Sequence, residues 1–305
     1  ILAFAEGRES LYDHGDIDII LRRSEDNGKT WGPLMVVFDF GTETAGNPTP
    51  VLDKETGRIW LPFCTNTSED KYFRRVWVTW SDDDGLTWAD PKEITADVKP
   101  EDWFWYATGP GRGIQMESGR LVIPSNHADV NRVRRSHVIY SDDHGQTWKR
   151  GGAAGVGTDE SHVAELADGT LIMNSRYQGD ALMRAVTYSD DGGETWGETT
   201  LDERLIDPHC QGSLMMTPHG LVFANAATED ELPRSNLTVR ISPDGGETWP
   251  VFREITDGPS AYSALSYLPD GNIGILWESG EILPYDRIQY ASFNVEWVEA
   301  EPDDS

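Results

Sequence analysis

The sequence predicts an all-β chain folded as a six-bladed β-propeller of four-stranded antiparallel sheets. Three observations carry this. The pattern S-x-D-x-G-x-T-W recurs five times, from Ser24, Ser81, Ser141, Ser189 and Ser242, at intervals of 57, 60, 48 and 53 residues. Such spacing lies near the period of a propeller blade. Each copy follows a short strand-like run, in order DIDIILRR, RRVWVTW, RSHVIY, MRAVTY and NLTVRI, rich in β-branched and aromatic residues. Helical periodicity is nearly absent, whereas alternating runs bounded by Gly, Pro, Asp and Asn continue from end to end.

Every part of the repeat has a folding role. Its aspartate can accept hydrogen bonds from backbone amides ahead of it, its glycine can take positive φ, and its tryptophan can wedge between neighbouring sheets. Calcium binding, which DDDG suggests, would need the EF-hand spacing and a terminal bidentate glutamate, and both are missing. A sixth unit follows in YSALSYLPDGNIGILWESG and DRIQYASFNVEWV. The expected organisation is one propeller over residues 1–297, without an internal linker, and an acidic tail over 298–305.

Composition narrows the function classes. The 305 residues include 53 acidic and 25 basic side chains, a formal charge of −28, which repels nucleic acid backbones and anionic membrane surfaces. No apolar run approaches the roughly 20 residues that span a bilayer, so neither nucleic acid nor membrane insertion is expected. Cys64 and Cys210 are the two cysteines; one bridge between them is open, a disulfide framework or thiolate metal site is not. Seven scattered histidines form no metal-ligand pattern, and no metal or cofactor is implied. The sequons at Asn66 and Asn236 read as accidental. No targeting segment is visible, so exported and cytoplasmic locations both stay open.

The repeat is an Asp-box, which several propeller families share. Outside it stand six unlike segments: LAFAEGRESLYDHGDIDIILRRS, GNPTPVLDKETGRIWLPF, DWFWYATGPGRGIQMESGRLVIPSNH, DESHVAELADGTLIMNSR, PRSNLTVRISPDGGETW and GPSAYSALSYLPDGNIGILWE. In order and spacing these resemble the exo-α-sialidases, or neuraminidases, over nearly the whole chain. The resemblance implies that Asp13 is the acid/base, Tyr262 the nucleophile and Glu160 its glutamate partner. It implies that Arg176 and Arg234 belong to the arginine triad that grips the sialic acid carboxylate, with Glu278 orienting that triad. It further implies that Arg8 is a pocket arginine and that Gln211 touches the glycerol side chain. Trp103 and Trp105 fit either the sugar pocket or core packing.

The residue types suit that chemistry. A sialoside carries a carboxylate on its anomeric carbon, so an anionic attacker would be repelled, whereas a neutral phenol is not until its proton leaves. A neighbouring glutamate can take that proton, and an aspartate can protonate the leaving oxygen and later activate water. Arginine matches a carboxylate with paired, charge-assisted donors. The resemblance thus implies a sialidase acting on sialylated glycans with retention, through a tyrosyl-enzyme intermediate. A trans-sialidase, a hydrolase of deaminated sialic acid and a non-catalytic sialoside-binding propeller are the alternatives on the same scaffold. The family pattern also has a Y-R-I-P-like strand ahead of LAFAEGR, bearing the first triad arginine; no RIP occurs here. The first blade is therefore expected to lack its N-terminal strand, with that strand encoded upstream of Ile1.

Overall fold

The computed structural model describes residues 1–229 and 231–300, and nearly all of its regular structure is β. Hydrogen bonding joins the strands into sheets of eight, five, four and six members. Pairing is antiparallel except at one bridge, Ile17 to Thr44. The long strand Val251–Tyr267 pairs with Ser235–Ser242 through its first half and with Ile273–Ser279 through its second. Divided at these two places, the described strands form six successive up-and-down meanders.

The first meander is Leu2–Arg8, Ile17–Arg23 and Met35–Phe38. The second runs from an interrupted inner strand, Thr44–Gly46 and Val51–Leu52, through Ile59–Asn66 and Arg75–Ser81 to Lys92–Glu93. The third likewise starts with two pieces, Trp103–Thr108 and Ile114–Gln115, followed by Leu121–Asp129, Arg134–Ser141 and Lys149–Ala153. Thr158–Glu165, Leu171–Tyr177, Met183–Ser189 and Thr200–Ile206 make the fourth. The fifth joins Ser213–Thr217, Gly220–Ala226 and Ser235–Ser242 to the first half of the long strand, and the sixth joins its second half to Ile273–Ser279 and Arg287–Phe293.

The five Asp-boxes fold identically. In the third copy, Asp143 accepts from the Thr147 amide at 2.8 Å, the Thr147 hydroxyl at 2.6 Å and the Ser141 hydroxyl at 2.8 Å, while the Gly145 amide donates to Ser141 Oγ at 2.8 Å. Both carboxylate oxygens are thereby engaged within the turn. Residues four and five of each box take left-handed backbone, as at His144 with φ 57° and Gly145 with φ 80°. This reverses the chain into the fourth strand and sends the tryptophan back onto the preceding meander. Trp88 meets Phe4, Trp148 meets Trp60 and Trp249 reaches Asp202. Trp31 does the same across the chain ends, edge-on to Tyr290 with centroids 5.4 Å apart, and Tyr290 Oη donates to the Asn27 carbonyl. The sixth meander thus abuts the first.

Burial follows this arrangement. The apolar core is a series of clusters, each sandwiched between consecutive meanders, such as Ile172 and Val186 of the fourth against Leu214 and Phe223 of the fifth.

Two expectations change. Among the described residues the sixth meander, as well as the first, has three strands, because the chain after Phe293 turns into the helix Val295–Glu299, capped by Asn294 accepting from the Trp297 amide at 3.0 Å. The tail does not begin at residue 298: Val298 is 2% exposed and packs in the core of the last two meanders. Residues 301–305 lie outside the described residues. Cys64 and Cys210 are both free and buried.

Asp26, Asp83 and Asp244 are pulled down to about 2, chiefly by hydrogen bonds from the threonine of each turn. Their folded-state values lie below the unfolded value of about 3.9, so this stabilisation is complete above about pH 4 and is lost as pH falls towards 2. The denaturant midpoint is expected to fall through that window, and to fall less in the triple variant Asp26→Asn, Asp83→Asn, Asp244→Asn. Equal acid sensitivity of the two proteins would remove the turns as its source.

Candidate functional site

Two of the innermost strands are irregular where the candidate residues stand. Pairing shifts register between Thr158 and Ser161, and again between Ser260 and Ser263. A bulge turns a side chain out of the regular alternation and aims it elsewhere. Glu160 and Tyr262 occupy these two bulges, and they meet: Tyr262 Oη donates to Glu160 Oε1 at 2.5 Å. Arg176, on the strand paired with Glu160's own, donates through Nη1 to Glu160 Oε2 at 2.9 Å and to Tyr262 Oη at 3.3 Å. Residues 102 positions apart in sequence thus share one proton-carrying contact.

Burial sets the electrostatics of this trio. Desolvation pushes the Glu160 carboxyl up, against the pull of Arg176, and so makes it a stronger base than a surface glutamate. Desolvation, then the Glu160 charge, hold the Tyr262 phenol well above its ordinary value. Tyr262 is thus the donor to a carboxyl group that Arg176 also contacts. Desolvation is the largest influence on Arg176 and opposes its charge, but Glu160, Tyr262 and Asp159 together outweigh it.

The other site residues surround this centre. Arg234 lies 5.9 Å from the Tyr262 ring centroid and donates to the His209 carbonyl at 2.7 Å. Glu278 accepts from the Tyr262 amide at 3.2 Å and feels both Arg8 and Arg234. Arg8 closes the ring from the first meander, donating to Glu6 through Nε at 2.8 Å and to Asp13 at 2.7 Å. Asp13 itself stands in the exposed segment after Leu2–Arg8, with its side chain 80% accessible. Its contact is to Arg8; no hydrogen bond among the described residues joins it to Tyr262 or Glu160.

Gln211 is buried between meanders. It is 1% exposed, its Oε1 accepts from the Ser263 amide at 2.9 Å, and its Nε2 lies 3.0 Å from both the Ser263 carbonyl and His162 Nε2. The amide knits the fourth, fifth and sixth meanders together. Trp103 is a packing residue, stacked on His127 with centroids 3.4 Å apart. Trp105 instead lies over the Arg74 guanidinium at 3.9 Å.

The chain matches the BNR repeat-like domain family over residues 1–275. It is 31% identical to an exo-alpha-sialidase of Arthroderma benhamiae, covering 98% of this chain and 81% of that protein.

The chain belongs to the sialidase family.

It is 36% identical to a sialidase of Micromonospora viridifaciens over 98% of this chain and 50% of that one, so it spans about half the length of that relative. The structure superposes on the Hadza microbial sialidase Hz136 with a TM-score of 0.88 at 30% identity, covering 97% of this chain and 63% of that one. These likenesses agree with a propeller built from Asp-boxes.

Within this sialidase scaffold, the structure adds residues that the sequence reading passed over. Glu6 has the same parity as Arg8 on its strand, and besides holding Arg8 it accepts from the Asn47 amide at 2.7 Å. Arg74 donates to Asn47 Oδ1, and its own charge bears on Glu6, Asp13 and Arg8. An inward carboxylate in LAFAEGR, two residues before a pocket arginine, was the available signal for Glu6. Arg74 gave none, because RR at 74–75 reads as a solvated pair.

Desolvation lifts Glu278 to about 7, with the Tyr262 amide, Arg8 and Arg234 pulling the other way. A folded value above the unfolded one means stability that is full below about pH 4.5 and is lost as pH rises through 7. Glu278→Gln should therefore show a smaller drop in denaturant midpoint between pH 5 and 8 than the parent. An unchanged drop would assign it to other groups.

Proposed function

We propose that the chain is an exo-α-sialidase, a six-bladed propeller that hydrolyses terminal α-linked sialic acids with retention through a tyrosyl-enzyme intermediate. The observation that carries this reading is the buried hydrogen bond from Tyr262 Oη to Glu160 Oε1, with Arg176 bound to both partners. A pure binder has no need of a base against a phenol.

In this mechanism Tyr262 Oη attacks the anomeric carbon as its proton passes to Glu160, and the glycosidic C–O bond breaks with Asp13 protonating the leaving oxygen. Asp13 then takes a proton from water, the water oxygen attacks the anomeric carbon, and the departing phenolate recovers its proton from Glu160. Two inversions give net retention. Asp13 reaches the leaving oxygen when the segment 9–16 folds over the bound sugar. The substrate carboxylate is held by Arg176 and Arg234, whose Nε atoms are buried and have no hydrogen-bond partner in the unliganded site; Arg8 and Glu278 position this cationic wall. A neutral nucleophile fits an anionic substrate here, since a carboxylate in place of Tyr262 would face like charge on both Glu160 and the sugar.

The test is turnover of a fluorogenic aryl α-sialoside by the parent, Tyr262→Phe and Glu160→Gln, each checked for folding. Each substitution should lower kcat by about 10³-fold or more, and the first sugar released by the parent should be the α-anomer by NMR. A folded parent that is inert, or a Tyr262→Phe variant with parental kcat, would contradict the proposal.

A further inference from the structure

The protein carries −28 formal charge, and its arginines are heavily subscribed. Among the described residues, every arginine not open to solvent has an acceptor: Arg58 has Asp82, Arg120 has Asp142 and Glu194, Arg184 has Asp207, and even Arg240 has Asn225 Oδ1. Arg112 is the exception. It is half-buried, it has no hydrogen bond or ion pair, and its Nε is shut off from solvent without a partner.

Residues 109–113 interrupt the inner strand of the third meander and run between the inner strands of others. The Gly113 amide donates to the Pro50 carbonyl of the second meander at 2.9 Å. Gly111 lies so close to His162 of the fourth that a Cβ there would stand 1.9 Å from its Nε2, and Gln211, leading into the fifth, approaches the Pro110 carbonyl at 3.4 Å. The segment thus touches the second and fourth meanders and the start of the fifth, and Arg112 comes with it. A guanidinium there, with no carboxylate in reach, is an uncompensated charge whose desolvation is costly. Burial alone lowers its proton affinity, to a value of about 10. Desolvation, then the Arg112 charge, hold neighbouring His162 down at about 3, so that the imidazole is neutral at ordinary pH. The place therefore offers one positive charge.

We propose that Arg112 anchors a binding site for a small monovalent anion of the halide type among the inner strands, apart from the Tyr262 and Glu160 pair. A single fixed cation among neutral groups matches one negative charge, and a doubly charged anion would exchange one uncompensated charge for another. Through Gln211, which bonds both the Ser263 carbonyl and the Pro110 loop, the occupied site would brace the strand that carries Tyr262.

The experiment is thermal unfolding at constant ionic strength, exchanging sodium isethionate for sodium chloride from zero to about 100 mM, for the parent and Arg112→Met. Constant ionic strength removes the general screening that a very acidic protein enjoys. The parent Tm should rise by about 2–5 °C, and the variant, which deletes the charge at similar length, should show no chloride-specific rise. No rise in the parent, or an equal rise in the variant, overturns the site. Bromide-soaked parent crystals give a readout that does not depend on the variant folding: an anomalous peak within about 3.5 Å of the Arg112 guanidinium supports the site, and a difference map without one there contradicts it.

Discussion

A carboxylate that accepts from a threonine amide, a threonine hydroxyl and a serine hydroxyl within one eight-residue turn is the interaction on which the remainder of this structure rests. It fixes the corner between third and fourth strands, and by fixing the corner it aims a tryptophan at the preceding meander. Its five copies, the first of which brings Trp31 to Tyr290 between the first and last sheets, tie neighbouring sheets together. Stability then resides in the outer turns and in the apolar layers between sheets. The innermost strands are interrupted at Asn47 and Gly109 and bulged where Glu160 and Tyr262 stand.

That irregularity has an electrostatic use. A chain with more than twice as many acidic as basic residues concentrates arginine where the inner strands meet. Arg8, Arg74, Arg176 and Arg234 come from four different meanders or their connections, and Glu6, Glu160 and Glu278 hold them apart from the acidic exterior. Glu6 and Glu160 each pair with an arginine, while Arg176 and Arg234 keep a buried Nε without a partner. Glu160 does two jobs at once, since one oxygen accepts from Arg176, which favours its charged form, while the other accepts from the phenol.

Much of the fold was readable in the sequence because its governing interactions are local. The Asp-box hydrogen bonds span two to four residues, so five copies announce five turns without knowledge of tertiary contacts. Contacts distant along the chain were not readable. Nothing near Trp31 signals Tyr290, and nothing in FNVEWVEA distinguishes a buried terminal helix from a frayed tail except the Val295 and Val298 spacing, which is short of a full periodic pattern. The candidate site divides in the same way. Tyr262, Glu160 and Arg176 were singled out as candidates through resemblance to a family, in segments that share no local pattern. Gln211 was placed at the substrate by that resemblance, whereas its burial between three meanders is a tertiary fact. Arg74 was invisible because its environment is made by Trp105 and Asn47, 31 and 27 residues away.

The most direct test of the account is to trap the intermediate. Incubation with a fluorinated sialosyl fluoride, which forms the glycosyl-enzyme quickly and hydrolyses it slowly, followed by proteolysis and mass spectrometry, reads out which side chain bonds to the anomeric carbon. The account predicts a single adduct on the peptide containing Tyr262, at the phenolic oxygen. An adduct on Glu160 or Asp13, or inactivation of an active enzyme with Tyr262 unmodified, would contradict it.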